Sequence, residues 1–327
     1  FGSRLRHRPG AAGTGLGAQP AKVLASGRGG PPAAMRLALV FACHAVTSST
    51  LTLLNKRIAI NTTFPWLVVM MQCLGSVVFS IIMDLPFRTI KPVRLVHLPG
   101  SLLISCLFTL CLASSISGLR RVHVPMAVVG KNLTPFITAV LETLLLQAPL
   151  GGRTLLSLVV GCCGGGIYLA GDANASVQGL LFVLLNAVCV ALTCIAEKFV
   201  SEKKEQSPLG LCLLRNALAV PFVSLFLLSD PASSRIAWQE LKEAGPPTWL
   251  GMLLTSAFGA VSGMLLFQLQ TQVRATTTQV ASLCYKLAST LLSLVVFPAS
   301  RLDVGWIAFV GYGLSTASIS LYVFSKK

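Results

Sequence analysis

Ten apolar stretches, each about as long as a helix must be to cross a bilayer core of about 30 Å, fill most of the chain after residue 34. They run approximately over Met35–Leu54, Phe64–Met83, Leu98–Leu119, Val122–Leu146, Thr154–Ala170, Val177–Ala196, Leu209–Leu228, Thr248–Leu269, Thr276–Phe297 and Val304–Phe324. Inside hydrocarbon every backbone N–H and C=O must be paired within the segment, which stretches of this length achieve as α-helices. Short connections rich in turn residues separate them, among them Asp84-Leu-Pro86, Gly171-Asp172, Asp230-Pro231 and Gly245-Pro-Pro247. The expected fold class is therefore an all-α membrane protein with ten transmembrane helices. Composition agrees, since 54% hydrophobic and 11% charged leaves too little charge to cover a water-soluble domain of 327 residues. A disordered chain, a coiled coil and a disulfide-stapled secreted module are excluded. So is a nucleic-acid binder, despite a net charge of +16.

That charge reads mostly as topology. With the N-terminus in the cytoplasm, 16 of the 26 Lys and Arg fall on the cytoplasmic side and 7 on the other, the bias that orients multi-pass proteins. Both termini are expected to be cytoplasmic. Residues 1–34 are basic, acid-free and rich in Gly, Ala and Pro, and are expected to be disordered. They read as leader or incidental tail rather than native protein, with a transit peptide as the alternative. Two glycosylation sequons, at Asn61 and Asn174, would face away from the cytoplasm. The ten cysteines sit inside the spans or at their ends and read as small packing residues. No Cys/His spacing suggests a metal, and no cofactor is implied.

Ten spans divide into two sets of five, over residues 35–171 and 172–327. Lys131 and Lys286 stand 155 residues apart, and Lys56 and Lys198, at the ends of each half's first span, 142 apart. The longer Asp230–Pro247 connection accounts for the difference. Because five is odd, the halves would insert in opposite senses, the inverted-repeat plan of secondary transporters, with the substrate near the midplane.

Lys131 and Lys286 lie about nine and ten residues into their spans, roughly 14–15 Å deep at about 1.5 Å per residue. A charge that deep costs several kcal/mol, and no carboxylate stands one turn away on either helix. The expectation is an electropositive central cavity that receives an anion. Arg215 is shallower and suits either the site or a snorkelling role at the cytoplasmic edge. Lys56, Glu142, Glu197 and Lys198 stand near span ends, where gate or helix-end salt bridges are expected. Gly161-xxx-Gly165 and Gly259-xxx-Gly263 let helices approach closely. A membrane-embedded transferase is disfavoured, because Glu142 and Glu197 have no catalytic partner in sequence.

The pattern of ten spans, Gly130-Lys-Asn-Leu-Thr134 in the fourth and a lysine in the ninth resembles the nucleotide-sugar and triose-phosphate transporters of the drug/metabolite transporter superfamily. Lys131-Asn-Leu-Thr134 followed by Glu142, with Leu54-Asn-Lys56 in the first span, looks most like the Golgi GDP-mannose transporters. Where those carry Phe-Tyr-Asn-Asn and Gly-Ala-Leu-Asn-Lys, this chain has Leu213-Leu-Arg-Asn216 and Ser282-Leu-Cys-Tyr-Lys286, retaining only Asn216 and Lys286. The resemblance implies exchange of a cytosolic nucleotide sugar, GDP-mannose-like, for a lumenal nucleoside monophosphate. It further implies a multi-pass protein of the Golgi membrane in contact with lipid and not with nucleic acid, with a homodimer among the assemblies to test. Lys131 and Lys286 suit the diphosphate as point charges. Tyr285 could stack on a base, and Asn132, Asn216 and Ser282 could supply neutral hydrogen bonds. The alternatives are a plastid or endomembrane carrier of a smaller phosphorylated metabolite and, in another class, a non-transporting membrane scaffold of the same fold.

Overall fold

The computed structural model describes residues 33–60, 62–92, 98–122, 124–147, 149–171, 176–202, 206–296 and 306–325. The basic tail and the sequon asparagines Asn61 and Asn174 lie outside them, and so does the side chain of Lys286.

All regular structure among the described residues is helical. The helices are α1 (Ala33–Ile60), α2 (Pro65–Asp84), α3 (Leu98–Arg121), α4 (Val124–Gly130), α5 (Leu133–Leu145), α6 (Gly152–Gly171), α7 (Val177–Glu202), α8 (Pro208–Ser229), α9 (Pro231–Glu243), α10 (Gly245–Gln270), α11 (Ala275–Val296) and α12 (Trp306–Ser325). Among the described residues seven of these, α1, α2, α3, α6, α7, α8 and α10, are long and apolar enough to cross a membrane, and shorter apolar helices cover Leu133–Leu145 and Phe309–Ser325. Burial is inverted relative to a soluble protein. Leu39, Val46, Leu103 and Leu253 are more than half exposed, whereas Ser80, Ser105, Thr109, Thr138 and Gln270 are fully buried. Most of the buried hydroxyls donate to carbonyls one turn back in their own helix, as Thr109 does to Ser105 and Thr138 to Thr134, which satisfies them without water.

Two sequence expectations change. The fourth span is not one helix over Val122–Leu146 but two, α4 and α5, parted at Lys131 and Asn132. Pro135 has no N–H to give the Lys131 carbonyl. That carbonyl takes the Thr134 N–H instead at 2.9 Å, and Asn132 N–H bonds Val129 O at 2.9 Å. Pro221 leaves α8 continuous; at Lys131 a preceding glycine and two polar residues join the proline. The Asp230–Pro247 connection is likewise mostly helix. Asp230 caps α9, accepting from Ser233 N–H at 3.0 Å, and the Ser233 side chain and amide hold its carboxyl below the usual carboxylate range. Pro231 starts the helix, where its missing N–H costs nothing. Ala237 and Leu241, four apart, are buried, while Trp238 is 40% exposed and meets Trp249 edge-on at 6.3 Å. Tryptophans of this kind suit a membrane–water boundary.

The packing has a regular pattern of neighbours. α3 lies along α7 and α1 along α10; α2 meets α10 and α3 meets α8; α5 meets α7 and α1 meets α11. α6 pairs with α12, α2 with α8 and α5 with α11. Exchanging α1, α2, α3, α5 and α6 with α7, α8, α10, α11 and α12 returns the same set of neighbours. The α6–α12 pair is backbone-close: a Cβ on Gly311 would stand 2.4 Å from Tyr168 N, and one on Gly164 2.7 Å from Ser315 N. Only glycine fits there.

Candidate functional site

The break between α4 and α5 sets Lys131 at mid-span beside the start of a helix, where N–H groups without intrahelical partners favour negative charge. Its ammonium donates to Ser115 Oγ of α3 at 3.3 Å. Lys131 is only partly buried, and among the described residues no carboxylate stands within ion-pair distance of it.

Arg215 approaches the same helix from α8. Its guanidinium lies over the Phe108 ring at 4.0 Å and the Phe267 ring at 5.1 Å. Phe108 and Ser115 are seven residues apart, two turns on one face of α3, so the two cations address that face about 10 Å apart. The environments differ. Arg215 forms an ion pair with Glu197 of α7, and both residues are at most 5% exposed. Glu197 Oε2 also accepts from Gln270 of α10 at 3.0 Å. Gly263, read from the sequence as a packing glycine, makes room for this pair: a Cβ there would stand 2.6 Å from Arg215 Nη2. Arg215 is thus buried and engaged rather than reaching for the membrane edge.

The helix-end charges form matched links. Lys56 donates to the carbonyls of Leu119 (2.6 Å) and Val122 (3.0 Å) where α3 ends. Lys198, 142 residues later, donates to those of Gln270 (2.5 Å) and Val273 (3.0 Å) where α10 ends. Each lysine serves carbonyls that the helix leaves unpaired, at the negative end of its dipole. Next to them, Asn55 accepts from Gln72 of α2 at 2.7 Å, and its counterpart 142 residues on is Glu197, paired with Arg215 of α8. Near the middle, His44 Nδ1 meets Ser262 Oγ of α10 at 3.2 Å. Its counterpart is Asn186, whose Nδ2 meets Cys111 Sγ of α3 at 3.4 Å and donates to the Cys111 carbonyl at 2.6 Å. Three positions on α1 thus precede three on α7 by 142 residues, and the partners Cys111, Leu119 and Val122 precede Ser262, Gln270 and Val273 by 151.

Glu142 of α5 caps α11. Its carboxylate accepts from Ala275 N–H and Thr276 N–H, each at 3.2 Å, and from Thr276 Oγ1 at 2.5 Å. With three donors released, Glu142→Ala is expected to cost about 1–2 kcal/mol, read as a lower thermal midpoint in detergent, and Glu142→Gln less. Equal midpoints for the three proteins would contradict the cap.

The other sequence candidates are spread out. Asn132 donates to Ser315 of α12 at 2.7 Å, and Asn216 to Cys212 O of its own helix at 2.8 Å. Tyr285 is buried on α11, edge-on to His44 at 5.4 Å, and its hydroxyl has no hydrogen-bond partner. Ser282, one turn back on α11, is buried with it. Lys286 follows Tyr285 on α11. The structure therefore gathers Lys131 and Arg215 on α3, places Tyr285 and Ser282 on α11, and turns Asn132 toward α12. Ser115, Asn55, Gln72, Asn186 and His44 escaped sequence reading. Asn55-Lys56 against Glu197-Lys198 was a legible cue, since a polar residue precedes lysine in both.

The profile of the Triose-phosphate Transporter family matches residues 35–323. GDP-fucose transporter 1 of Arabidopsis thaliana is 22% identical over 279 residues, which span 82% of this chain and 80% of that protein. A solved crystal structure shares the fold, with a TM-score of 0.61 at 15% identity, covering 89% of this chain and 97% of its own. Match, length and helical architecture agree: the chain belongs to the Triose-phosphate Transporter family, and it is a transporter and not an enzyme.

Proposed function

We propose that this protein exchanges a nucleotide sugar for a nucleoside monophosphate across a Golgi membrane by alternating access, with both termini in the cytoplasm. The observation that carries the proposal is Lys131: a cation at a mid-span helix break, partly accessible and without a carboxylate partner among the described residues. A diphosphate would neutralise it there, as anionic groups do at broken helices in other transporters. Lys286 supplies the second charge from α11, and Tyr285 with Ser282 lines the approach. Arg215, held by Glu197, adds positive potential along α3. The matched links of α1 and α7 and the exchange-invariant neighbours support two inverted five-helix repeats over residues 35–171 and 172–327. Each lysine link joins helices of one half, and the Glu142 cap joins the two halves. Alternating access then amounts to one half rocking against the other, with the Glu142 cap opening on the cytoplasmic side.

Guanine is the first base to test. The Lys131-Asn-Leu-Thr134 resemblance points to GDP-mannose, and the Arabidopsis relative is named for GDP-fucose. Exchange follows from charge: a cationic site is costly to return empty through a bilayer, so a monophosphate on the return leg keeps it neutral.

The experiment is uptake into proteoliposomes of GDP-, UDP- and CMP-sugars, each against internal GMP, UMP or CMP. We expect a GDP-sugar to enter at least about tenfold faster against GMP than into empty vesicles, the gain from lowering one return barrier by about 1.4 kcal/mol. Uptake indifferent to the internal monophosphate would overturn the exchange. The family's own description gives a second reading, a smaller phosphorylated metabolite; uptake of a triose phosphate against phosphate, with no nucleotide sugar transported, would establish it. No uptake of either class would leave the scaffold reading.

A further inference from the structure

A cavity of about 330 Å³ lies between the start of α2, the second half of α3 and the start of α7. Its wall descends α3 from Arg121 to Leu110, eleven residues or about 16 Å of helix. It is separate from the proposed substrate site. None of Lys131, Ser115, Arg215 or Tyr285 lines it, and Ser114 faces the cavity while its neighbour Ser115 faces Lys131.

The lower walls are largely apolar, formed by Leu110, Ala113, Ile116, Phe182 and Leu185. Leu185 is 48% exposed, so in a membrane this side meets lipid chains and the cavity opens sideways. The upper end is cationic. Arg120 donates one N–H to Thr63 O at 2.5 Å. Arg121 donates one to Ser117 O at 3.1 Å and lies 4.9 Å from the Phe182 ring centroid. A guanidinium has five N–H donors, so both keep donors to spare. Among the described residues neither has a carboxylate within ion-pair distance. The Glu240 carboxylate, bonded to Thr63 N and Oγ1 at 3.0 and 2.5 Å, is the acidic group on this side.

An apolar slot about three turns deep, open to lipid and closed at its upper end by two guanidiniums with a tryptophan (Trp66) beside them, matches an amphipathic anion. A free phosphate or nucleotide would find the donors but would leave the slot dry and empty. We propose that this is a binding site for an anionic phospholipid, with the phosphate on Arg120 and Arg121 and an acyl chain running down α3 toward Leu110.

The test uses the full chain in phosphatidylcholine nanodiscs containing a minor fraction of phosphatidylinositol, with retained lipid counted by native mass spectrometry. Wild type should retain phosphatidylinositol in preference to phosphatidylcholine. The double variant Arg120→Gln/Arg121→Gln should lose about thirty-fold in that preference, the loss of two headgroup charges, while melting as wild type does in pure phosphatidylcholine. Ala113→Phe, which fills the slot beneath intact arginines, should also lose the lipid. Undiminished preference in the double variant would overturn the proposal. So would retention by a folded Ala113→Phe, which would mean surface charge alone, or displacement of the lipid by millimolar inorganic phosphate or GMP, which would mean a soluble anion site.

Discussion

In proteoliposomes, Lys131→Ala is expected to lower nucleotide-sugar exchange by about a hundredfold, the cost of leaving a desolvated anion without its cation. The same substitution should leave the thermal midpoint unchanged or raised, because Lys131 contributes one 3.3 Å bond to Ser115 and no ion pair to the resting fold. That opposition separates a binding role from a structural one. A structural lysine lowers both readings together; a binding lysine lowers only the transport rate. Ser115→Ala is the companion measurement. It removes Lys131's acceptor but keeps the charge, so exchange should fall far less. Exchange by Lys131→Ala at the wild-type rate would remove the central support of the proposed function. The resting protein tolerates the charge because Lys131 is partly exposed and stands where the helix is already broken.

The second large effect concerns stability. Glu197→Ala is expected to destabilise the fold by about 3–5 kcal/mol, since it strands the Arg215 guanidinium in a buried site. Both partners are at most 5% exposed, and Phe108 and Phe267 cover the guanidinium, so water cannot replace the carboxylate cheaply. Replacing both, as Glu197→Met/Arg215→Met, should recover most of that loss, because two apolar side chains of similar length need no pairing. Thermal unfolding of the two variants beside wild type decides the point. If the single variant is as stable as wild type, the pair is hydrated. If the double variant is no better than the single, the loss comes from packing rather than from a stranded charge. The counterpart position on the other half has the neutral pair Asn55 and Gln72. Asn55→Ala should therefore cost much less, in the range of an ordinary hydrogen bond, about 1 kcal/mol.

These contrasts show which information was local. The membrane class and the spans came from runs of about 20 apolar residues, because a bilayer imposes its thickness on each helix separately. The depth of Lys131 followed from counting, at a fixed rise per residue. The 142-residue spacing of Lys56 and Lys198 was already visible as numbers. Other elements had a local signal that the apolar pattern masked. Pro135, four residues after Lys131, marks a carbonyl without a helical donor, yet the stretch around it is apolar enough to read as one span. Asp230-Pro231 is an N-cap followed by a proline, yet it stood inside a connection expected to be loop.

What the sequence determined by itself was an all-helical membrane protein with buried cations at chosen depths, because hydrophobic length and helical rise act residue by residue. What only the tertiary structure decided was where each charge went. Lys56 and Lys198 serve the carbonyl ends of α3 and α10, more than 60 residues away in both cases, Glu142 caps a helix 133 residues on, and Arg215 is taken by Glu197 while Lys131 is left for an anion. A long cationic side chain can meet a carboxylate, a helix end, an aromatic face or a ligand at similar cost. Which one it meets depends on which helices pack against its own, and that is a property of the assembled bundle.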